Sequence, residues 1–86
     1  VTPYSVEFTT AAARELKKLE PRAARDKILE KVRALADDPR PPGCRKIAGE
    51  QHAWRIRVGD YRVLYEVDDR VVTVAVFRIA HRREVY

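Results

Sequence analysis

Apolar and polar positions alternate from Trp54 to Tyr65. Trp54, Ile56 and Val58 are separated by Arg55 and Arg57; Tyr61, Val63 and Tyr65 are separated by Arg62 and Leu64. Gly59-Asp60 lies between the two runs and is a two-residue turn signal. Period-two patterning about such a turn predicts a β-hairpin with one buried face and one open face. Tyr4 to Thr9 alternates in the same way and predicts a first strand, with Thr9 or Thr10 capping a helix over Ala11 to Leu19. Glu20-Pro21 breaks that helix, and Pro21 suits the first position of a second one running from about Arg22 to Ala36. Ile28, Leu29, Val32, Leu35 and Ala36 form its apolar stripe, the spacing of a helix lying on a sheet.

The stretch DDPRPPG from Asp37 to Gly43 stops the helix and stiffens the connection. Cys44 to Ile47 follows as a brief strand. After the hairpin, Asp68-Asp69-Arg70 predicts a second tight turn. Val71 to Ile79 is apolar on both faces and predicts a central strand. An antiparallel register pairing Val63 and Tyr65 with Val72, Val74 and Val76 sets Arg62 beside Ala75 or Phe77, and by parity puts His81 on the face of Arg62. The expected fold is α+β, in the order β-α-α-β-β-β-β. Two N-terminal helices, a helical hairpin, pack on one face of a small, mostly antiparallel sheet of four to five strands, with residues 1–86 as a single domain.

Charge adds a partner class to this picture. A formal net charge of +5 on 86 residues favours a polyanion. Cys44 is the single cysteine, so no internal disulfide forms, which fits a reducing compartment. One Cys and two separated His, His52 and His81, lack metal-ligand spacing, so neither metal nor cofactor is expected. Val71 to Phe77 is the longest apolar run, too short to cross a bilayer. No charged-then-apolar leader opens the sequence, and the expected location is cytoplasmic, with no membrane partner.

The hairpin carries the candidate chemistry. With Gly59-Asp60 as loop residues, Val58 pairs with Tyr61, and Arg57 lies opposite Arg62 with Arg55 extending the row. Like charges so placed are destabilising. Two readings fit: an anion site using the planar, two-pronged guanidinium, or a solvated face with side chains fanned apart. Lys46 is a candidate backbone contact. His81 could move a proton, since imidazole is the side chain suited to that role, and Tyr86 could orient a nucleophile or stack on a base. Such a set suits RNA cleavage by attack of the ribose 2′-hydroxyl on its own phosphodiester. No phosphate-cradling glycine loop, Ser-His-Asp grouping or carboxylate pair competes.

WRIRVGDYRVLYEV followed by HRREVY resembles the core of the RelE toxins, within the wider RelE/ParE superfamily, and the resemblance covers nearly the whole chain. It implies a ribosome-dependent endoribonuclease that enters the ribosomal A site, against the 16S rRNA, and cuts mRNA without a metal. It also implies neutralisation by a cognate RelB-like antitoxin, with operator DNA reached through the antitoxin complex. By that resemblance Arg62 stabilises the transition-state phosphate, Arg82 stabilises and protonates the leaving group, and Tyr86 positions the substrate. Arg83 is a further substrate contact. Arg55 and Arg57 stand where the best-studied members carry lysines, one of them proposed as general base. Since an arginine does not readily give up its proton, either Arg55 only neutralises phosphate while another group, with His81 the candidate, takes the proton, or the protein is a weak nuclease. The alternatives are a ParE-like DNA gyrase inhibitor that cuts nothing and a non-toxic module still paired to an antitoxin.

Overall fold

The computed structural model describes residues 3–81 and 83. The elements run β1 (Ser5–Phe8), α1 (Thr10–Lys17), α2 (Arg22–Ala34), β2 (Arg45–Lys46), β3 (Ala53–Val58), β4 (Tyr61–Asp68) and β5 (Thr73–His81). They form one five-stranded sheet in the order β1-β5-β4-β3-β2. β1 runs parallel to β5 and every other pairing is antiparallel. The expected order and the mixed α+β architecture are both observed.

Local chemistry sets the helix ends. The Thr9 hydroxyl accepts from the Ala12 N–H at 3.2 Å and caps α1. Pro21 is the residue before α2, not its first helical position: it sits in extended backbone and has no capping side chain. Both helices stop short of their apolar patterns. Leu19 and Leu35 lie just beyond α1 and α2, in turns closed by i−3 hydrogen bonds, yet both are buried. The pattern therefore marks what is buried rather than where the α-helical bonding ends.

The core lies between the helices and one sheet face. Ile28, Val32 and Leu35 from the helical side meet Ile56, Val63, Tyr65, Val74, Val76 and Ile79 from the strands. Tyr65 is fully buried, and its hydroxyl donates to the Pro39 carbonyl at 2.7 Å. That bond pins the loop after α2 to the sheet. The same loop is held from outside, where Arg40 pairs with Asp69 at 2.8 Å and Tyr4 donates to Asp69 at 2.6 Å. Arg40 also lies 5.4 Å from the centre of the Trp54 ring.

Two departures from the expected register matter for the site. The turn before β5 is longer than Asp68-Asp69-Arg70. Asp68 Oδ1 accepts from the N–H groups of Arg70 and Val71, drawing both out of the ladder, and Val72 has φ 52°. β5 therefore begins at Thr73. A bulge then interrupts its pairing with β4: Tyr65 faces Val76 but Leu64 faces Arg78, which leaves Phe77 without a partner. Past this point the alternation in β5 shifts by one. Arg62 faces Ala80, not Ala75 or Phe77, and His81 faces Tyr61. His81 thus lies on the helix-covered face, opposite to the face expected for it.

Candidate nucleic-acid interface

The hairpin geometry is as the alternation predicts. Gly59 has φ 60° and Asp60 is not left-handed, the pattern of a two-residue turn that needs a glycine only at its first position. Val58 pairs with Tyr61 and Arg57 with Arg62. On the neighbouring strand, Arg45 is the direct partner of Arg55. Residues opposite each other in a sheet share a face. Arg45, Arg55, Arg57 and Arg62 therefore all emerge on the face away from the helices.

These four arginines, with Gly43, line a cleft of about 260 Å³. No carboxylate is among its described lining residues. Arg62 forms the floor: it is only 8% exposed, and an Nη donates to the Tyr61 carbonyl at 3.4 Å. Its neighbour across the sheet on the other side, Ala80, is equally buried and small, which leaves room for the guanidinium. Arg57 is exposed at the mouth, its Nε directed at the Gly59 carbonyl at 3.3 Å. Arg55 is half-buried and Arg45 exposed. A guanidinium keeps its charge in ordinary conditions, so the cleft is a fixed concentration of positive charge with donors in planar forks.

A larger cleft, about 490 Å³, opens at the opposite end of the sheet, where Glu66, Asp68 and Asp69 line it. Carboxylates there disfavour a polyanion, and volume alone does not mark the site. The Asp69 carboxyl is held below its ordinary range, first by its hydrogen bond from Arg40 and then by that from Tyr4. The Tyr65 phenol is pushed well upward by burial, which keeps it a hydrogen-bond donor to Pro39.

Of the residues singled out in the sequence, the structure brings Arg55, Arg57 and Arg62 together. It does not bring His81 to them. The His81 ring meets Tyr61 edge-on at 5.6 Å between centroids, and its Nδ1 accepts from the Arg83 N–H at 3.3 Å. Arg83 is exposed just past β5. Lys46 is also turned away: it pairs with Trp54, and its Nζ lies 6.0 Å from the centre of that ring. Arg82 and Tyr86 lie outside the described residues. The residue that sequence reasoning missed is Arg45. Its signal was present, since an antiparallel strand beside β3 must carry Arg45 or Lys46, and not both, on the arginine face.

A mixed sheet covered on one side by two helices, with an arginine cleft on the other, defines a small α+β domain with a cationic, anion-suited face. The chain matches, over residues 6–86, the family model of the ParE toxin of the type II toxin–antitoxin system parDE. It therefore belongs to this family of type II toxins, within the RelE/ParE superfamily. It is 39% identical over 87 residues to Toxin RelG of Mycobacterium tuberculosis, covering 98% of this chain and 97% of that protein. Among solved structures it resembles a chain of the RelBE2 toxin–antitoxin complex of the same organism, with TM-score 0.79 and 36% identity over 93% of this chain and 99% of the other. It also resembles a chain of the archaeal RelE–RelB complex from Pyrococcus horikoshii, with TM-score 0.82 and 27% identity over 93% and 96%. Among the described residues, no helix is long and apolar enough to cross a membrane.

Proposed function

We propose that this toxin is a ribosome-dependent endoribonuclease that cleaves mRNA in the A site and so stops translation in the cytoplasm. The observation that carries the reading is the convergence of Arg45, Arg55, Arg57 and Arg62 on one cleft. In the proposed reaction the 2′-oxygen of the upstream ribose attacks phosphorus as its proton leaves. The P–O5′ bond breaks, the 5′-oxygen takes up a proton, and a 2′,3′-cyclic phosphate remains. Arg62, fixed at the cleft floor, faces the scissile phosphate and neutralises the charge that grows on its equatorial oxygens. Arg57 and Arg55 bind phosphate and hold the chain in line. Following the family resemblance, Arg82 protonates the leaving oxygen and Tyr86 positions the substrate. With His81 on the other face, the 2′-hydroxyl proton goes to solvent water rather than to that imidazole.

A RelB-like antitoxin is the proposed neutralising partner, since the RelE-type structures resembling this chain include RelB complexes. Operator DNA is reached through that pair. The deciding experiment incubates the toxin with ribosomes paused on a defined message and maps RNA ends by primer extension. Wild type is expected to produce new ends within the A-site codon, and Arg62→Ala to slow their appearance about 100- to 1,000-fold. Absence of new ends with wild type sinks the proposal.

The resemblance to the RelE/ParE superfamily leaves a second reading, inhibition of DNA gyrase. That activity has no use for a phosphate-binding arginine cleft. Induction of a DNA-damage response without mRNA cleavage would select it.

A further inference from the structure

The arginines of the cleft come in two cross-strand pairs. Arg45 and Arg55 face each other between β2 and β3, and Arg57 and Arg62 between β3 and β4. Arg55 and Arg57 are two residues apart on one strand. The pairs are therefore offset by about 7 Å along β3 and about 5 Å across the sheet, from ordinary strand rise and spacing. Long side chains can converge from that distance, but two forked pairs so spaced suit two successive phosphates of one extended strand, each pair keeping its own short hydrogen bonds.

We infer that the cleft is a two-phosphate clamp: Arg57 and Arg62 take the scissile phosphate, and Arg45 and Arg55 take the phosphate of an adjacent linkage. The inference rests on the nuclease reading and names its minimal substrate, an oligoribonucleotide with charged linkages at two successive positions. Arg45 supplies the second subsite from a strand only two residues long. It is held there by the loop that Tyr65 and the Arg40–Asp69 pair pin down. A second pair gives the chain a register along the strand, since sliding by one linkage would still fill both subsites but sliding by half would fill neither. Continuous backbone contact of this kind is independent of base identity.

The test uses ribosomes programmed with messages whose scissile ribose is 2′-deoxy, so that the full-length toxin binds without cutting. In one series each linkage flanking the scissile one is replaced, in turn, by an uncharged methylphosphonate. Wild-type binding is expected to weaken about tenfold when one of the flanking linkages is neutral, and Arg45→Ala to weaken binding about tenfold to the fully charged message. Combined, the two changes are expected to cost no more than either alone, because they remove the same contact. Arg45→Gln, which retains donors but not charge, is expected to fall between, and thermal unfolding of both variants checks that the fold is intact. Equal losses for Arg45→Ala on charged and neutral linkages, or no loss at all, overturn the second subsite. Wild-type cleavage of the unmodified message is measured alongside. Cleavage without a linkage-specific Arg45 effect removes the clamp and leaves the nuclease; no cleavage removes the nuclease itself.

Discussion

Arg57→Gln separates a charge kept for binding from one kept for folding. Arg57 and Arg62 are direct partners across the hairpin, so their Cβ atoms are about 5 Å apart. Cross-strand neighbours with long stems can keep their charges about 7 Å apart. Coulomb's law then gives a repulsion between about 0.6 kcal/mol in bulk water and about 2.4 kcal/mol at an effective dielectric near 20. Arg62 is buried and Arg57 exposed, so solvent screening pulls the value toward the lower bound. The hydrogen bond from Arg57 to Gly59, at 3.3 Å, is long and exposed, and its loss offsets little. Arg57→Gln is thus expected to stabilise the fold by about 0.5–1 kcal/mol at low salt, a rise in Tm of about 2–8 °C for a domain of this size. The gain should shrink as the Debye length falls from about 30 Å at 10 mM salt to about 8 Å at 0.15 M. Over the same range the variant should cut programmed ribosomes at least about tenfold more slowly. Thermal melts at the two salt concentrations, beside the end-mapping assay, provide the measurement. A loss of stability at low salt, or a gain that salt does not alter, refutes the repulsion argument.

Three further outcomes are expected. Tyr65→Phe removes a buried donor from the Pro39 carbonyl and should lower unfolding free energy by about 1–2 kcal/mol in denaturant titrations. Asp69 has its carboxyl pKa depressed below the ordinary 3.8 by Arg40 and Tyr4, so its contribution is complete above that value and disappears as pH falls through the lower, folded one. Asp69→Asn should accordingly flatten the acid limb of a Tm-versus-pH curve below about pH 4, and an unchanged limb would show that the pair contributes nothing there. Val72 is a β-branched residue with φ 52°, and Val72→Gly should raise stability by about 0.5–1 kcal/mol in the same titrations; a loss of stability would refute the claim of backbone strain there.

The hairpin was legible because its alternation and its turn agree. Once Gly59-Asp60 is the loop, the pairing of Arg57 with Arg62 follows by counting. The helices were legible from their apolar stripes, although Leu19 and Leu35 extend those stripes past the last α-helical bonds. What failed was phase. A bulge changes which face every later residue occupies, and nothing in VAVF sets Phe77 apart as the unpartnered residue, since it is apolar like its neighbours. His81 was assigned to the wrong face for that reason alone. Arg45 was passed over because a strand of two residues has no period to read, and only its register against β3 tells it apart from Lys46. The parallel pairing of β1 with β5 left no local trace, because it joins opposite ends of the sequence.

That pairing has a consequence in time. β1 is made before both helices, yet its hydrogen-bonding neighbour in the sheet is β5, the last of the described strands, which must slip between β1 and β4. Ordering so long an intervening loop is entropically slow, and no shorter pairing offers β1 an interim place. The sheet therefore stays open on its β1 side until β5 has emerged from the ribosome.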